Sequence, residues 1–161
     1  MATPTYTLLD SVTLGSSAAS VTFSSISQDY RDLVLVIEAK STYGSCLFDL
    51  RFNGDSGDNY YYVQAFGTGS TTESYSGNID RIICSSASGT TTSAGFNVTS
   101  IMDYSATDKH KTTLSRGNNA ASRTEMMAGR WANTSAITSM NISAVNEYAA
   151  GSTFYLYGIE A

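Results

Sequence analysis

The sequence predicts an all-β fold, a single-domain β-sandwich built from about ten short strands. Three observations carry that expectation. Short runs alternate apolar and polar residues from one end of the chain to the other, the period of a strand with one buried face. Gly, Ser, Asn and Asp punctuate the runs, and with Pro4 the only proline, turns must rely on those residues. Helical periodicity never persists; its nearest approach, Ser27 to Asp32, amounts to one turn at most.

Composition sets the outer bounds. A chain of 161 residues can bury roughly 70% of the surface it exposes when unfolded. A hydrophobic share of 42% with 14% charged residues excludes a disordered chain, whose balance runs the other way. The net charge is −5, and the best basic cluster is Lys109, His110 and Lys111. Nucleic acid is therefore not an expected partner, because displacing its counterions takes many clustered cations. No apolar stretch approaches the ~20 residues of a helical membrane span, and no signal-peptide pattern opens the chain. No membrane partner is expected, and synthesis in a cytoplasm is.

The strands follow in order. Tyr6 to Leu14 opens the chain after an extended arm over residues 1–5, and Ser20 to Phe23 is a short second strand. Leu33 to Ser41 places Leu33, Leu35, Ile37 and Ala39 on one face, with Val34 and Val36 opposite. Apolar residues on both faces suit a strand covered on two sides. Leu47 to Phe52 and Tyr60 to Phe66 flank Asn53-Gly54, a strong hairpin signal because both residues tolerate positive φ. Gly67 to Gly77 reads as a Gly/Thr/Ser loop, Asp80 to Ser85 as a strand, and Ser86 to Ser93 as a second low-complexity loop. Gly95 to Tyr104 carries Phe96, Val98 and Met102 on one face. Lys111 to Ser115 and Glu125 to Trp131 are separated by a turn at 117–122. Ile137 to Val145 and the aromatic Ser152 to Ile159 close the chain. The expected domain spans residues 1–161.

Chemistry-bearing residues are sparse. Asn53 to Asn59 collects oxygen donors, which suits either a tight turn or a hard-cation loop; its order departs from the helix–loop–helix calcium pattern. No metal and no cofactor is expected. His110 lies in a polar stretch without a nucleophile elbow, and Glu38, Glu73, Glu125 and Glu147 are scattered. No catalytic residue is assigned, and an enzyme is not expected. Cys46 and Cys84 read as buried small apolar residues, with a disulfide between them the other reading. The sequons at Asn97, Asn133 and Asn141 suit a Ser/Thr-rich chain and imply no glycan. Consecutive Tyr60, Tyr61 and Tyr62 must point to alternate faces, so one face shows an aromatic ring. They suit either rim packing or an interface.

Both ends of the chain carry a resemblance. Tyr6-Thr-Leu-Leu-Asp10-Ser-Val-Thr-Leu-Gly15-Ser-Ser-Ala-Ala-Ser-Val-Thr-Phe23, then Ile26 to Leu33, Leu50-Arg51-Phe52-Asn53-Gly54-Asp55 with Asn59-Tyr60, and Ser152-Thr-Phe154-Tyr-Leu156-Tyr-Gly158-Ile159 resemble small structural proteins of tailed bacteriophages. The resemblance covers about half the chain and consists of strand and turn patterns. It implies a jelly-roll-like sandwich and a non-enzymatic virion component. The first expectation is a capsid decoration (cement) protein on the outer head surface, partnered by the major capsid protein of the same virion and forming a homotrimer. The alternative is a tail-fibre or tail-associated module that recognises host surface polysaccharide. Pro4, Thr5, Tyr60, Tyr62 and Tyr75 are the expected partner contacts.

Overall fold

The computed structural model describes residues 4–119 and 123–160, apart from the side chains of 86–88 and 119. Among the described residues there are twelve strands and no helix. They are β1 (Tyr6–Thr13), β2 (Ala18–Phe23), β3 (Asp32–Ala39), β4 (Ser45–Phe52), β5 (Tyr60–Gly67), β6 (Thr72–Ile79), β7 (Ile82–Thr90), β8 (Gly95–Met102), β9 (Lys111–Asn119), β10 (Arg123–Trp131), β11 (Met140–Tyr148) and β12 (Thr153–Ile159). The expected all-β sandwich is the observed fold.

Its topology is a jelly roll with one extended sheet. The pairs β1·β12, β2·β11, β3·β8 and β4·β7 are all antiparallel. Successive pairs go alternately to the two sheets, as when one long hairpin is rolled around itself into a double-sheet sandwich. The small sheet runs β2-β11-β4-β7. The large sheet begins β1-β12-β3-β8 and continues through β9-β10-β5-β6. The additions are two hairpins, β5–β6 from between β4 and β7, and β9–β10 from between β8 and β11.

Between the eight roll strands lies an apolar core. The large sheet contributes Leu33, Leu35, Ile37, Ile101, Phe154 and Leu156 from alternate positions, and the small sheet answers with Val21, Phe23, Phe48, Leu50, Phe52, Ile82 and Ile142. Each fully buried aliphatic or aromatic side chain contributes about 1.5–3 kcal/mol of transfer free energy. On β3, Leu33 and Ile37 are fully buried and Val34 on the opposite face is nearly so, but Val36 is only partly buried and Glu38 is exposed; no second layer of strands covers that side, in contrast to the two-sided cover its sequence predicts. Cys46 and Cys84 are buried free thiols, not a disulfide.

Several sequence expectations are corrected. Asn53 (φ 53°) and Gly54 (φ 70°) do form a tight turn, closed by the Asp55 N–H donating to the Phe52 carbonyl at 2.9 Å. However, β4 and β5 are not a hairpin: one lies in the small sheet, the other in the large. The turn is diverted because the Asn53 side chain is tied elsewhere. Its Oδ1 accepts the N–H groups of Thr138 and Ser139 at 2.9 and 3.1 Å, and its Nδ2 donates to the Ala136 carbonyl at 2.8 Å.

The loop expected over 67–77 contains β6 from Thr72 onward, and the loop expected over 86–93 is largely β7. The Ser27–Asp32 segment is not helical; Ser27 and Asp29 close a bend, and Asp32 already begins β3. The turn expected at 117–122 is shorter, since β9 runs to Asn119, and 120–122 lie outside the described residues.

Gly129 on β10 shows how tightly the extension meets the roll. A Cβ there would lie 2.5 Å from Thr113 Oγ1 and 2.9 Å from Ile82 Cγ2. Gly129→Ala is therefore expected to lower stability by about 1–3 kcal/mol, read as a lower urea midpoint. Gly15→Ala, where a Cβ meets nothing within 4 Å, should shift it far less.

Candidate interaction face of the large sheet

On β8, the roll strand that borders the extension, and on the extension's β9, β10 and β5, polar residues stand inside together with Tyr60, Met127 and Trp131, while aliphatic residues stand outside. On β8, Asn97 and Thr99 point inward while Phe96, Val98 and Met102 point outward. On β9, Thr113 and Ser115 are inside and Leu114 outside; on β5, Gln64 is inside and Val63 outside. On β10, Glu125 is inside beside Met127, while Met126 and Ala128 face out.

Most of the inward polar groups are paired, the exception being the Thr113 hydroxyl, which is buried against Gly129 without a hydrogen-bond partner. Gln64 Nε2 donates to Glu125 Oε2 at 3.0 Å, and the Ser85 hydroxyl donates to Glu125 Oε1. Asn97 Nδ2 donates to the Cys84 carbonyl at 2.8 Å, and the Thr99 hydroxyl bridges Asn97 and Ser115 at 2.8 Å each. Satisfied in this way, a buried polar layer holds the extension against β7 at little cost, whereas an unpaired one would be strongly destabilising.

The outward side is a continuous apolar face. Register places Tyr155, Val36, Val98, Arg116, Met126 and Ala65 in one row across the sheet. The next row is Tyr157, Val34, Ser100, Leu114, Ala128 and Val63. Leu8 and Tyr6 extend the face at the β1 edge, where Tyr6 meets Tyr157 edge-on at 6.5 Å. Leu114, Met126 and Val63 are each 55–58% exposed. Two open depressions mark the surface, one lined by Val98, Leu114, Arg116 and Met126, the other by Tyr61, Val63, Ala128 and Arg130.

Across the described outward positions of β8, β9, β10 and β5, the charged side chains are Arg116 and Arg130. Arg130 lies 4.3 Å above the Tyr61 ring, a cation–π contact that keeps the guanidinium on the surface with its donors free to turn outward. The opposite face of the sandwich, on the small sheet, is mixed, with Val145, Leu47 and Ile83 set among polar groups. It shows Thr22, Asn141, Ser143, Arg51, Asp80 and Arg81.

Of the expected contacts, Pro4 and Thr5 are exposed beside the β1 edge of the apolar face. Tyr60 is not a contact. It is fully buried, stacked on Trp131 at 6.2 Å, and its hydroxyl donates to the Asp55 carbonyl at 3.0 Å. Tyr62 also points to the inner side, where its ring covers Gly77. Tyr75 is half exposed and stacks on Phe66, again on the inner side. Strand parity sends Tyr61, which was not singled out, to the outer face.

The remaining candidates are committed to structure. In the 53–59 loop, Asp55 accepts N–H donors from Gly57 at 2.9 Å, Asn59 at 2.9 Å and the Trp131 indole at 2.7 Å. Burial pushes its carboxyl up, but the donors from Gly57, Asn59, Trp131 and Asn133 outweigh it and hold it below the usual carboxylate range. That is the chemistry of a turn, with oxygens turned to N–H groups. His110 is exposed in the loop before β9. Among the scattered glutamates, Glu38 and Glu147 stand on β3 and β11. Glu73 and Glu125 come onto one register row, but Phe66 stands between them with Arg123 stacked 4.4 Å from its ring. Comparison with known protein families, with curated proteins and with solved structures finds no match.

Two predictions concern buried groups. Burial pushes the Cys84 thiol up to about 12 and also raises Cys46, which suppresses the reactive thiolate. A thiol reagent such as DTNB should react with neither cysteine in the native protein and with both in denaturant.

On the small sheet, Asp49 lies 3.1 Å from Arg81 Nε, and burial pushes its carboxyl up to about 6, although Arg81 and Arg51 pull it back. A carboxyl raised by folding stabilises the fold when protonated. That contribution is full below pH ~4 and lost as pH rises through ~6. The stability of the wild type relative to Asp49→Asn should therefore fall by roughly 2–3 kcal/mol between pH 4 and pH 6.5. Urea titrations at each pH measure it, and a flat difference would contradict the assignment.

Proposed function

We propose that this chain is a non-enzymatic virion structural protein that decorates the capsid exterior, docking the outer face of its large sheet onto the major capsid protein. The observation that carries the reading is the side-chain arrangement of β8, β9, β10 and β5. Polar residues are spent inside to hold the sheet in place, while aliphatic ones are displayed outside. A monomer gains nothing from that arrangement, and exposed apolar patches of this extent mark interaction sites. The seven strand spacings of about 4.8 Å and strands of about 26 Å give roughly 900 Å², close to the ~800 Å² each partner contributes to a standard protein interface. Arg116 and Arg130, on a chain of net charge −5, fit a partner surface with carboxylates set among apolar residues. The jelly-roll topology agrees with the resemblance at both ends of the sequence.

The aliphatic character of the face weighs against the polysaccharide alternative. Sugar rings are held by stacked aromatics with surrounding polar groups; Leu114, Met126, Val63 and Val98 at the centre of the face offer neither, and its tyrosines, Tyr6, Tyr155 and Tyr157 at one end and Tyr61 at the other, flank that centre. The test is binding of the purified protein to empty heads and to host cells. Leu114→Asp and Met126→Asp should each weaken head binding by tenfold or more, about 1.4 kcal/mol, with melting unchanged because both side chains are exposed. Binding to cells alone, or head binding indifferent to both variants, would overturn the proposal.

A further inference from the structure

Sheet edges in this molecule are not treated alike. A free strand edge presents unpaired N–H and C=O groups that recruit another strand unless something blunts it. The β1 edge of the large sheet is blunted. Its register slips between Leu8 and Asp10, and the Asp10 carboxylate accepts the Ser11 N–H at 2.7 Å. In the small sheet, β7 carries two register shifts and lies beneath the extension, while β2 is short, six residues, and pairs irregularly with β11.

β6 is different. It runs eight residues in unbroken register against β5, from Gly67↔Thr72 to Tyr60↔Ile79. Thr-Glu-Ser-Tyr-Ser-Gly-Asn-Ile contains no proline, lysine or arginine, the residues that commonly guard an edge. No described side chain or loop bonds to its outward backbone groups. It is the long, regular, unguarded edge among the described strands.

We propose that β6 is a homodimer interface, pairing antiparallel with β6 of a second copy about a two-fold axis. A ring built by continuing the sheet needs two complementary open edges, one at each side, and β1 is closed to that use. One open edge leaves the isologous pairing, in which the same strand serves both subunits. The strand tolerates itself: its single charge is Glu73, and an antiparallel register centred on Tyr75, which keeps facing residues on the same side of the sheet, sets Glu73 opposite Gly77 instead of opposite its own copy. Pairing would join two eight-stranded sheets edge to edge and bring the Tyr61, Val63 and Arg130 regions of the two apolar faces side by side. The inference does not depend on the capsid reading, because it concerns the protein alone in solution.

Light scattering on the purified full chain tests it. At tens of micromolar the expected mass is twice the 17.1 kDa of one chain. Ser74 and Ser76 are exposed on the outward side of β6, so S74K/S76K places lysines of both copies around the seam without touching the fold. That variant should run as a monomer with unchanged near-ultraviolet dichroism, and S74E/S76E should do the same. An equimolar mixture of the two should recover the dimer mass, an outcome that general loss of structure could not produce. A monomeric wild type at 100 µM, a trimer mass, or a dimer indifferent to both variants would overturn the proposal.

Discussion

The crossing between β4 and β5 is the constraint on which the shape of this molecule depends. At Asn53-Gly54 the chain makes a turn whose dihedral angles would serve a hairpin, yet it leaves the small sheet and enters the large one. Two side chains enforce that exit. Asn53 is fixed to the 136–139 segment, and Asp55 gathers the amide of Gly57, the amide nitrogen of Asn59 and the indole of Trp131. Because Trp131 ends β10 and Tyr60 begins β5, their stacked rings carry the crossing directly into the extension. Phe52 closes the cluster at 5.5 Å from Trp131. Without this junction, β5 and β6 would have no reason to add to β10, and the large sheet would end near the limits of the roll.

Extending one sheet but not the other leaves a geometrical problem. The roll strands of the large sheet find the small sheet beneath them, whereas β9, β10 and β5 extend past its centre and meet chiefly β7. The inner side there is narrow, and it is filled largely by hydrogen-bonded polar side chains instead of interlocking hydrocarbons. Glu125 illustrates the logic. It is nearly inaccessible, sits among Gln64, Ser85 and Arg123, and ties two large-sheet strands to β7 through directional bonds. Such a layer fixes position more sharply than it adds stability. The aliphatic residues of the same strands, Val63, Leu114 and Met126 among them, stand on the outer face, while Tyr60, Met127 and Trp131 share the inner one.

Much of this was legible in the sequence, and the failures share a cause. Strands of the roll announce themselves because each has one buried apolar face, as Leu33, Leu35 and Ile37 do. β6 looks like a loop in the sequence because an edge strand exposed on both sides needs no alternation, and Thr-Glu-Ser-Tyr-Ser-Gly-Asn-Ile shows none. In β8, Phe96, Val98 and Met102 were correctly placed on one face, but period-2 alternation says only which residues share a face. It does not say which face is inside. The same ambiguity leaves open which of the three consecutive tyrosines faces outward; the structure sends Tyr61 out and Tyr60 and Tyr62 in. A signal was present: Asn97 and Thr99 against Phe96 and Val98 set small hydrogen-bonding residues opposite bulky apolar ones. Pairing across distant segments decides between the two orientations, and a single sequence does not display pairing.

The open edge and the apolar face belong to one design. Extending the large sheet by two hairpins moves its free boundary away from the core, to a strand with few apolar groups of its own and no guarding lysine, arginine or proline. The same extension enlarges the outward face beyond what the roll alone could offer. Edge pairing would double that face without covering it, since backbone hydrogen bonds form in the plane of the sheet and side chains stand perpendicular to it. Two copies so joined would meet a repeating protein surface through two patches at once, and the second contact would form at the effective concentration set by the first. On the capsid proposal, weak docking by a single face would thereby become durable attachment to a lattice.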